Sequence, residues 1–238
     1  MMTGLIKYHA LTLLREPLNI FFALIFPFIN VVMMLGFGVE ETDPVLLAGT
    51  LPVFMMIGML VLCFTDAGMS HAYGRQIKFL RKLRMTPVTT GHYIISGVLL
   101  RIFAATLLTG GLIAFGIFVY NMDVSAASWH TFIPMLLLIF AMFYTLSMFL
   151  ANVCKKAKTS QNLCMVIMFA MIILLNVATA DLPDILQNLT RLIPTQFAIE
   201  LLVSAWNGTG IFQGFYFYVA VGATILFGLL SMKTFKFE

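Results

Sequence analysis

Apolar residues run along the chain in long, nearly unbroken stretches that short polar segments separate. Six stretches approach the roughly 20 residues that an α-helix needs to cross a bilayer. They lie near residues 18–38, 47–70, 93–119, 131–152, 161–180 and 212–231. The runs are continuous rather than alternating, which favours helices over a β-barrel. The pattern predicts an all-α polytopic membrane protein with six transmembrane helices in a single domain, residues 1–238.

Composition supports a membrane protein, because 61% of the 238 residues are hydrophobic and only 10% are charged, whereas soluble domains carry roughly 25% charge. The N-terminal stretch lacks a short apolar core followed by a small-residue cleavage site, so we expect it to be retained. Its apolar residues, among them Leu5, Leu11 and Leu14, alternate loosely with Lys7, His9 and Arg15. This pattern predicts a short N-terminal interfacial helix.

Positive charge is distributed unevenly between the two sides that six spans would define. One side collects twelve cations: Lys7, Arg15, Arg75, Lys78, Arg81, Lys82, Arg84, Lys155, Lys156, Lys158, Lys233 and Lys236. The opposite side holds residues 39–44, Asp123 and residues 181–210, with Arg191 as its one cation. Because short loops rich in Lys and Arg stay in the cytoplasm, we predict that both termini are cytoplasmic.

The basic loop between spans two and three has an amphipathic pattern. On a helical wheel its cations and its apolar residues lie on opposite arcs. The cationic arc holds Arg75, Lys78, Arg81 and Lys82, and the apolar arc holds Phe79, Leu80 and Leu83, with Arg84 at the seam. Thr86 and Pro87 either end this helix or cap and begin the next one. A basic amphipathic helix rests on anionic lipid or inserts into a groove of a partner protein.

Several segments, in this order, resemble the ABC-2 family of ABC transporter permeases. LREPLNIFFALIFPF (Leu14–Phe28) is similar to the family's entry into the first span, and RQIKFLRKLRMTPV (Arg75–Val88) to its cytoplasmic coupling helix. Leu182–Gly208 is similar to an outer segment of two short half-inserted helices, and the last span ends in a basic tail. Many family members have Gly-Thr where this chain has Lys78-Phe79. The resemblance covers almost the whole chain.

The resemblance implies that the loop docks on a separate ATPase subunit, present in two copies that bind ATP and Mg. The implied coupling residues are Arg75, Lys78, Phe79, Leu80, Arg81, Lys82, Leu83, Arg84, Thr86 and Pro87. It further implies a second permease copy or a similar chain, surrounding membrane lipid and a bacterial inner membrane. No nucleic-acid partner is expected. The chain would then be the permease subunit of an exporter.

Motifs for catalysis are absent from the sequence. It contains no G-x-x-x-x-G-K-[ST] phosphate loop, no G-x-S-x-G and no H-E-x-x-H, so we expect neither ATP hydrolysis nor a cofactor in this chain. The cysteines have neither metal nor redox spacing, and we interpret Cys63, Cys154 and Cys164 as packing residues. The four histidines stand near span ends, where we expect an interfacial or solvated role: His9, His71, His92 and His130.

Ionisable residues inside a membrane are costly and indicate function. Asp66, late in span two, and Arg101, in the first third of span three, stand toward the cytoplasmic side. One hypothesis is that they pair between adjacent helices and transmit movement of the coupling loop. The alternative is that each side chain reaches the interface independently.

Polar residues in spans one and five are candidates for the substrate path, since these spans line it in the family: Asn30, Asn176 and Thr179. The alternative is that they form hydrogen bonds between helices. Residues 181–210 are too polar and proline-rich to cross the bilayer, yet Phe197–Trp206 is too apolar for water. A half-inserted outer gate reconciles these facts, and Glu200 within it either contacts cargo or caps a neighbouring helix.

Two functions remain open at this stage. The abundance of Met (17) and Phe (23) suits a hydrophobic or amphipathic cargo, which an ATP-driven exporter would move out of the cytoplasm or inner leaflet. The alternative is a stand-alone secondary transporter or channel whose basic loop binds anionic lipid. Such a transporter would be expected to contain an internal repeat, and none is visible.

Overall fold

A computed structural model describes residues 5–7, 9–11, 21, 25–38, 43–67, 90–154, 156–178, 193–209 and 214–234. Eight α-helices are delimited in this part of the chain. They are α1 (Phe26–Gly38), α2 (Pro44–Ala48), α3 (Leu51–Leu62), α4 (Thr90–Tyr120), α5 (Trp129–Val153), α6 (Ala157–Ala178), α7 (Pro194–Trp206) and α8 (Phe215–Thr234). A π-helical turn, Cys63–Ala67, continues α3. The described residues contain no β-strand, which agrees with the predicted all-helical class.

Four helices are long and apolar enough to cross a membrane: Ile95–Tyr120, Trp129–Val153, Lys158–Leu175 and Phe215–Thr234. They confirm the prediction of long apolar helices at spans three to six. The predicted first span is described only in part, by α1. The predicted second span begins within the short α2 and includes an apolar helix, Leu51–Thr65. The predicted coupling helix at 75–84 lies outside the described residues.

Helix α3 forms the centre of the described bundle. Its sequence, LPVFMMIGMLVL, is apolar on every side, and all of its residues except Val53 are buried. A helix without a polar face is stable only where other helices or lipid surround it. Here α1, α4, α5, α6 and α7 pack around it. At Gly58 an added Cβ would stand 2.6 Å from Leu108 Cδ2 of α4, so the missing side chain permits close approach.

Helix α8 lies at the periphery. It packs mainly along α5 and buries only Ala220 and Ser231. Large apolar side chains such as Ile225, Leu229 and Met232 are exposed. In a membrane this surface faces hydrocarbon or another protein, so its exposure carries none of the cost it would have in water.

The segment between α4 and α5 connects several elements at one end of the bundle. Asn121 adopts a positive φ of 51°, and the turn is closed by a bond from Met122 N to Gly116 O (3.2 Å). Asp123 N donates to Pro44 O at the start of α2 (3.2 Å). Ser128 N donates to Trp206 O at the end of α7 (2.9 Å). Three segments assigned to the outer side by their charge therefore meet at the same end.

Candidate functional site

Arg101 lies in the N-terminal half of α4, and its side chain is only 5% exposed. Its guanidinium folds back along its own helix, because a Cβ added at Gly97 would stand 2.7 Å from Arg101 Nη1. On the other side the guanidinium carbon lies 5.9 Å from the centre of the Tyr144 ring of α5. This is within the range of a cation–π contact, which gains strength where water is excluded. The contact links α4 to α5.

His9 contributes to the same cluster. It is 5% exposed, and its Cε1 and Nε2 atoms would each stand 3.4 Å from a Cβ added at Gly97. The residues around it, 5–7 and 9–11, are helical, and Leu5 one turn earlier is also buried. The burial of His9 contradicts a solvated role, one of the two roles expected for it, and the other, an interfacial role, stays a prediction. Gly97 lacks a side chain, so the N-terminal segment approaches α4 closely enough to enclose the imidazole.

Asp66 lies within the π-helical turn Cys63–Ala67. Such turns are rare and are often found at functional positions. In the same turn, Thr65 Oγ1 donates to Val61 O (2.8 Å). The side chain of Asp66 is outside the described part of the structure, so its pairing with Arg101 stays a prediction.

The polar residues predicted for the substrate path have different surroundings. Asn30 Nδ2 donates to Phe26 O of its own helix (2.9 Å). Asn176 belongs to α6, but its side chain is outside the described set, as is the whole of Thr179. Glu200 is half-buried on α7, where its Oε1 accepts a hydrogen bond from Gln196 Nε2 (3.2 Å). Of these four side chains, those of Asn30 and Glu200 therefore each have a hydrogen-bond partner on their own helix.

The N-terminal end of α5 and the C-terminal end of α7 form a tightly bonded junction. Besides the bond from Ser128 to Trp206, Thr131 Oγ1 lies 2.7 Å from Ala205 O and 2.8 Å from Ser128 O. The bonds to Ala205 O and Trp206 O reach carbonyls at the C-terminus of α7, where a helix leaves its last carbonyls without the usual intrahelical donor. Gly208 then leaves the helix at a φ of +68°, and a Cβ at this position would collide with Ser128 Oγ.

Three aromatic rings cover this junction. The Trp206 ring centre lies 5.1 Å from that of Phe132 and 5.4 Å from that of Trp129, both in edge-to-face arrangements. Trp206 is buried. Edge-to-face pairs of this kind add about 0.5–1.5 kcal/mol beyond the area they bury. The junction thus fixes α7 on α5 through both backbone and side-chain contacts.

Asp123, beside this junction, is fully exposed. Hydrogen bonds from the Ser125 side chain and then from its backbone N–H, 2.9 Å from Asp123 Oδ1, hold the pKa of the carboxyl below its ordinary value. Hydrogen bonding to the ionised form favours that form. The turn between α4 and α5 therefore keeps a negative charge.

The opposite end of α5 has a polar contact with α8. Asn152 Nδ2 lies 3.1 Å from Ser231 O and 3.2 Å from Ser231 Oγ. Both side chains are buried. Helices in lipid lack a hydrophobic force between them, so such bonds help to fix how they pack. Lys156 and Lys233 follow Asn152 and Ser231 closely in the sequence, and the cytoplasmic location of this end stays a prediction.

A cavity of about 260 Å³ lies between α4 and α5, with Met59 of α3 on its wall. The residues that line it are almost all apolar: Met59, Ile102, Ala105, Thr106, Thr109, Gly110, Ile113, Trp129, Phe132, Ile133, Leu136, Leu137 and Phe140. The hydrophobic pattern of the sequence did not predict this cavity. A signal was present, since Thr106, Thr109 and Gly110 interrupt an otherwise apolar span.

The described residues contain no cluster of three or more His, Cys, Asp or Glu side chains able to hold a metal ion. Cys63, Cys154 and Cys164 are all buried, and no disulfide joins them in the described part of the chain. Their burial agrees with a packing role.

Comparison with known proteins identifies the family. The family model of the ABC-2 type transporter matches residues 3–206, which is most of the chain. The chain belongs to the ABC-2 type transporter family. No curated protein matches it at a significant level.

Membership has direct consequences. The ABC-2 membrane domain is a permease domain that is not itself catalytic, and it works with an ATPase subunit. Together with the four candidate spans, it makes this chain a multi-pass membrane protein of a transport system. The match includes the predicted coupling segment and ends at Trp206, the last residue of α7.

Proposed function

We propose that the chain is the transmembrane permease subunit of an ATP-driven exporter that moves a hydrophobic or amphipathic substrate out of the cytoplasm or inner leaflet. The observation that carries the proposal is the ABC-2 family match across residues 3–206. The sequence adds a basic amphipathic segment where a coupling helix is expected and lacks an ATP-binding loop of its own. Energy would therefore enter from a partner subunit.

The proposed complex contains two ATPase subunits and two permeases, either two copies of this chain or this chain and a similar one. The complex lies in a bacterial inner membrane, with both termini and residues 75–84 of this chain on the cytoplasmic side. Closure of the ATPases on ATP moves the segment 75–84, and with it spans two and three. Nucleotide then drives transport only to the extent that it favours one conformation over the other.

Arg101 is the proposed internal relay for this movement. From α4, its side chain lies between the N-terminal segment and α5. Its neighbours there are His9, Gly97 and Tyr144. A displacement of span three at its cytoplasmic end would move the guanidinium against these neighbours. We expect Arg101→Ala to assemble with the ATPase but to lose most of the substrate-stimulated ATP hydrolysis, and Arg101→Lys to retain part of it. Normal stimulation in Arg101→Ala would remove Arg101 from the relay.

The decisive experiment is copurification. Tagged protein is isolated in mild detergent from its native host, and copurifying proteins are identified by mass spectrometry. Under the proposal, the wild type carries an ATPase with a phosphate-binding loop. The double variant Leu80→Asp/Leu83→Asp loses it, because two carboxylates replace the apolar face that would insert into the ATPase groove. The single variant Lys78→Gln, which leaves that face intact, serves as the matched control and retains the ATPase.

The alternative, a stand-alone transporter or channel, predicts a different result. A monodisperse wild-type protein would then carry no ATPase, and Lys78→Gln would weaken binding to vesicles that contain anionic lipid. That result would contradict the exporter assignment for this chain.

A further inference from the structure

The cavity between α4 and α5 opens toward the surrounding lipid. Ile133 and Leu137 on its α5 side are exposed, with 52% and 47% of their surfaces accessible. Both helices are candidate membrane spans, so the entrance lies within the bilayer. A molecule dissolved in the hydrocarbon reaches the cavity laterally, without first passing through water.

One polar group faces this apolar cavity without a partner. Thr109 is 8% exposed, its Oγ1 atom is buried, and no hydrogen bond to it is found in the part of the chain that the structure describes. Thr106, on the same wall, differs because its Oγ1 donates to Ile102 O (2.9 Å). A threonine in a helix usually forms such a bond to the preceding turn. A buried hydroxyl without a partner is unfavourable in apolar surroundings, so a bound acceptor would stabilise it.

The size and chemistry of the cavity limit its occupant. At about 260 Å³ the cavity falls just below the range of roughly 300–1,000 Å³ that is typical of drug-sized ligands. The apolar wall requires an apolar body, and Thr109 requires one hydrogen-bond acceptor within that body. A plain lipid acyl chain meets the first requirement but not the second, because its ester groups remain near the membrane surface.

We infer that this cavity is a binding site for a small apolar molecule that carries a hydrogen-bond acceptor and enters from the bilayer. Thr109 donates to the acceptor, and the aromatic and aliphatic side chains of α5 enclose the remainder. The described residues that line the site belong to α3, α4 and α5 rather than to predicted spans one and five. Binding does not require the ATPase, so the site can be tested even if the proposed exporter function fails.

The chain provides its own reporter of occupancy. It contains two tryptophans. Trp129 lines the cavity, and Trp206 packs against Trp129 with ring centres 5.4 Å apart. A heavy atom that enters the cavity therefore quenches the tryptophan fluorescence through contact with Trp129.

The test compares two brominated probes of equal length in phosphatidylcholine nanodiscs that contain the purified protein. The ketone 8-bromooctan-2-one carries an acceptor, whereas 1-bromooctane does not. In the wild type, the ketone is expected to quench saturably at a lower mole fraction in lipid than the alkane. Thr109→Val is expected to weaken ketone binding about two- to tenfold, as for the loss of one hydrogen bond, and to leave alkane quenching unchanged.

Three further variants control for folding and for the cavity itself. Thr109→Ser keeps the hydroxyl and should restore ketone binding. Thr224→Val removes a hydroxyl outside the cavity that donates to Ala220 O of its own helix (2.7 Å), so its ketone binding should equal that of the wild type. Gly110→Leu should abolish saturable quenching by both probes, because a Cβ at this cavity-lining position meets nothing within 4 Å and the side chain can fill the space.

Two results would overturn the inference. If both probes quench equally and Thr109→Val changes neither, the cavity is a groove for lipid acyl chains and has no acceptor-specific site. If neither probe quenches the wild type saturably, while Thr109→Ser and Thr224→Val remain monodisperse, the cavity does not bind such molecules.

Discussion

At the residue scale, two glycines in neighbouring spans have opposite surroundings. A Cβ at Gly58 would stand 2.6 Å from Leu108 Cδ2 and 3.3 Å from Pro27 Cγ, whereas one at Gly110 would meet no atom within 4 Å. Gly58 therefore determines how closely α1, α3 and α4 approach each other. Gly110 enlarges a cavity.

This difference predicts opposite effects of the same substitution. Leu108 is 2% exposed, so its side chain has little room to move away from a new methyl group. We expect Gly58→Ala to lower stability by about 1–3 kcal/mol, as overpacking does. Gly110→Ala should leave stability unchanged or raise it, because alanine is the better helix former. The stability of both variants is measured by thermal unfolding in the same detergent. Equal unfolding midpoints for Gly58→Ala and Gly110→Ala would contradict the tight packing at Gly58.

At the element scale, the junction between α5 and α7 depends on Thr131, whose hydroxyl contacts Ala205 O of the other helix. Thr131→Val should weaken the junction by about 0.5–1.5 kcal/mol, the net value of one hydrogen bond. The expected readout is faster amide hydrogen exchange in α7. Thr145→Val is the matched control, because the Thr145 hydroxyl bonds only within its own helix, to Ala141 O and Met142 O. Equal exchange in both variants would show that the threonine contact does not hold α7.

The C-terminal end of α5 offers a second element-scale prediction. Asn152 donates to both the carbonyl and the hydroxyl of Ser231 on α8. Asn152→Ala should lower stability by about 0.6 kcal/mol, up to about 1.7, the range measured for hydrogen bonds between helices in membranes. Ser231→Ala should cost less, because the backbone acceptor remains. Thermal unfolding of the two single variants and of the double variant tests this order. A larger loss of stability in Ser231→Ala than in Asn152→Ala would contradict the predicted order.

At the scale of the whole molecule, the hydrophobic pattern predicted the long helices of spans three to six closely. These helices are long and uniformly apolar, so their existence depends on local sequence. The pairing of Asn152 with Ser231, the burial of His9 and the cavity at Thr109 depend on which faces meet. A single sequence does not contain that information. Uniformly apolar spans such as α3 also lack the polar face that would otherwise indicate orientation.

The distribution of charge predicts the orientation of the whole chain, and orientation decides whether an ATPase in the cytoplasm can reach residues 75–84. Single cysteines at two exposed positions test it. The wild type is a suitable background because Cys63, Cys154 and Cys164 are buried. In spheroplasts, a membrane-impermeant maleimide should label Asn207→Cys at once and Lys158→Cys only after permeabilisation.

Both positions should react fully once the membrane is permeabilised, which controls for local accessibility. Labelling of Lys158→Cys in intact spheroplasts would place the basic side outside the cell. The coupling segment would then be out of reach of any cytoplasmic ATPase, and the exporter assignment would fail for a reason independent of which protein copurifies. With the predicted pattern, the outer junction of α5 and α7 faces the exterior. Substrate released near α7 then leaves the cell rather than entering it.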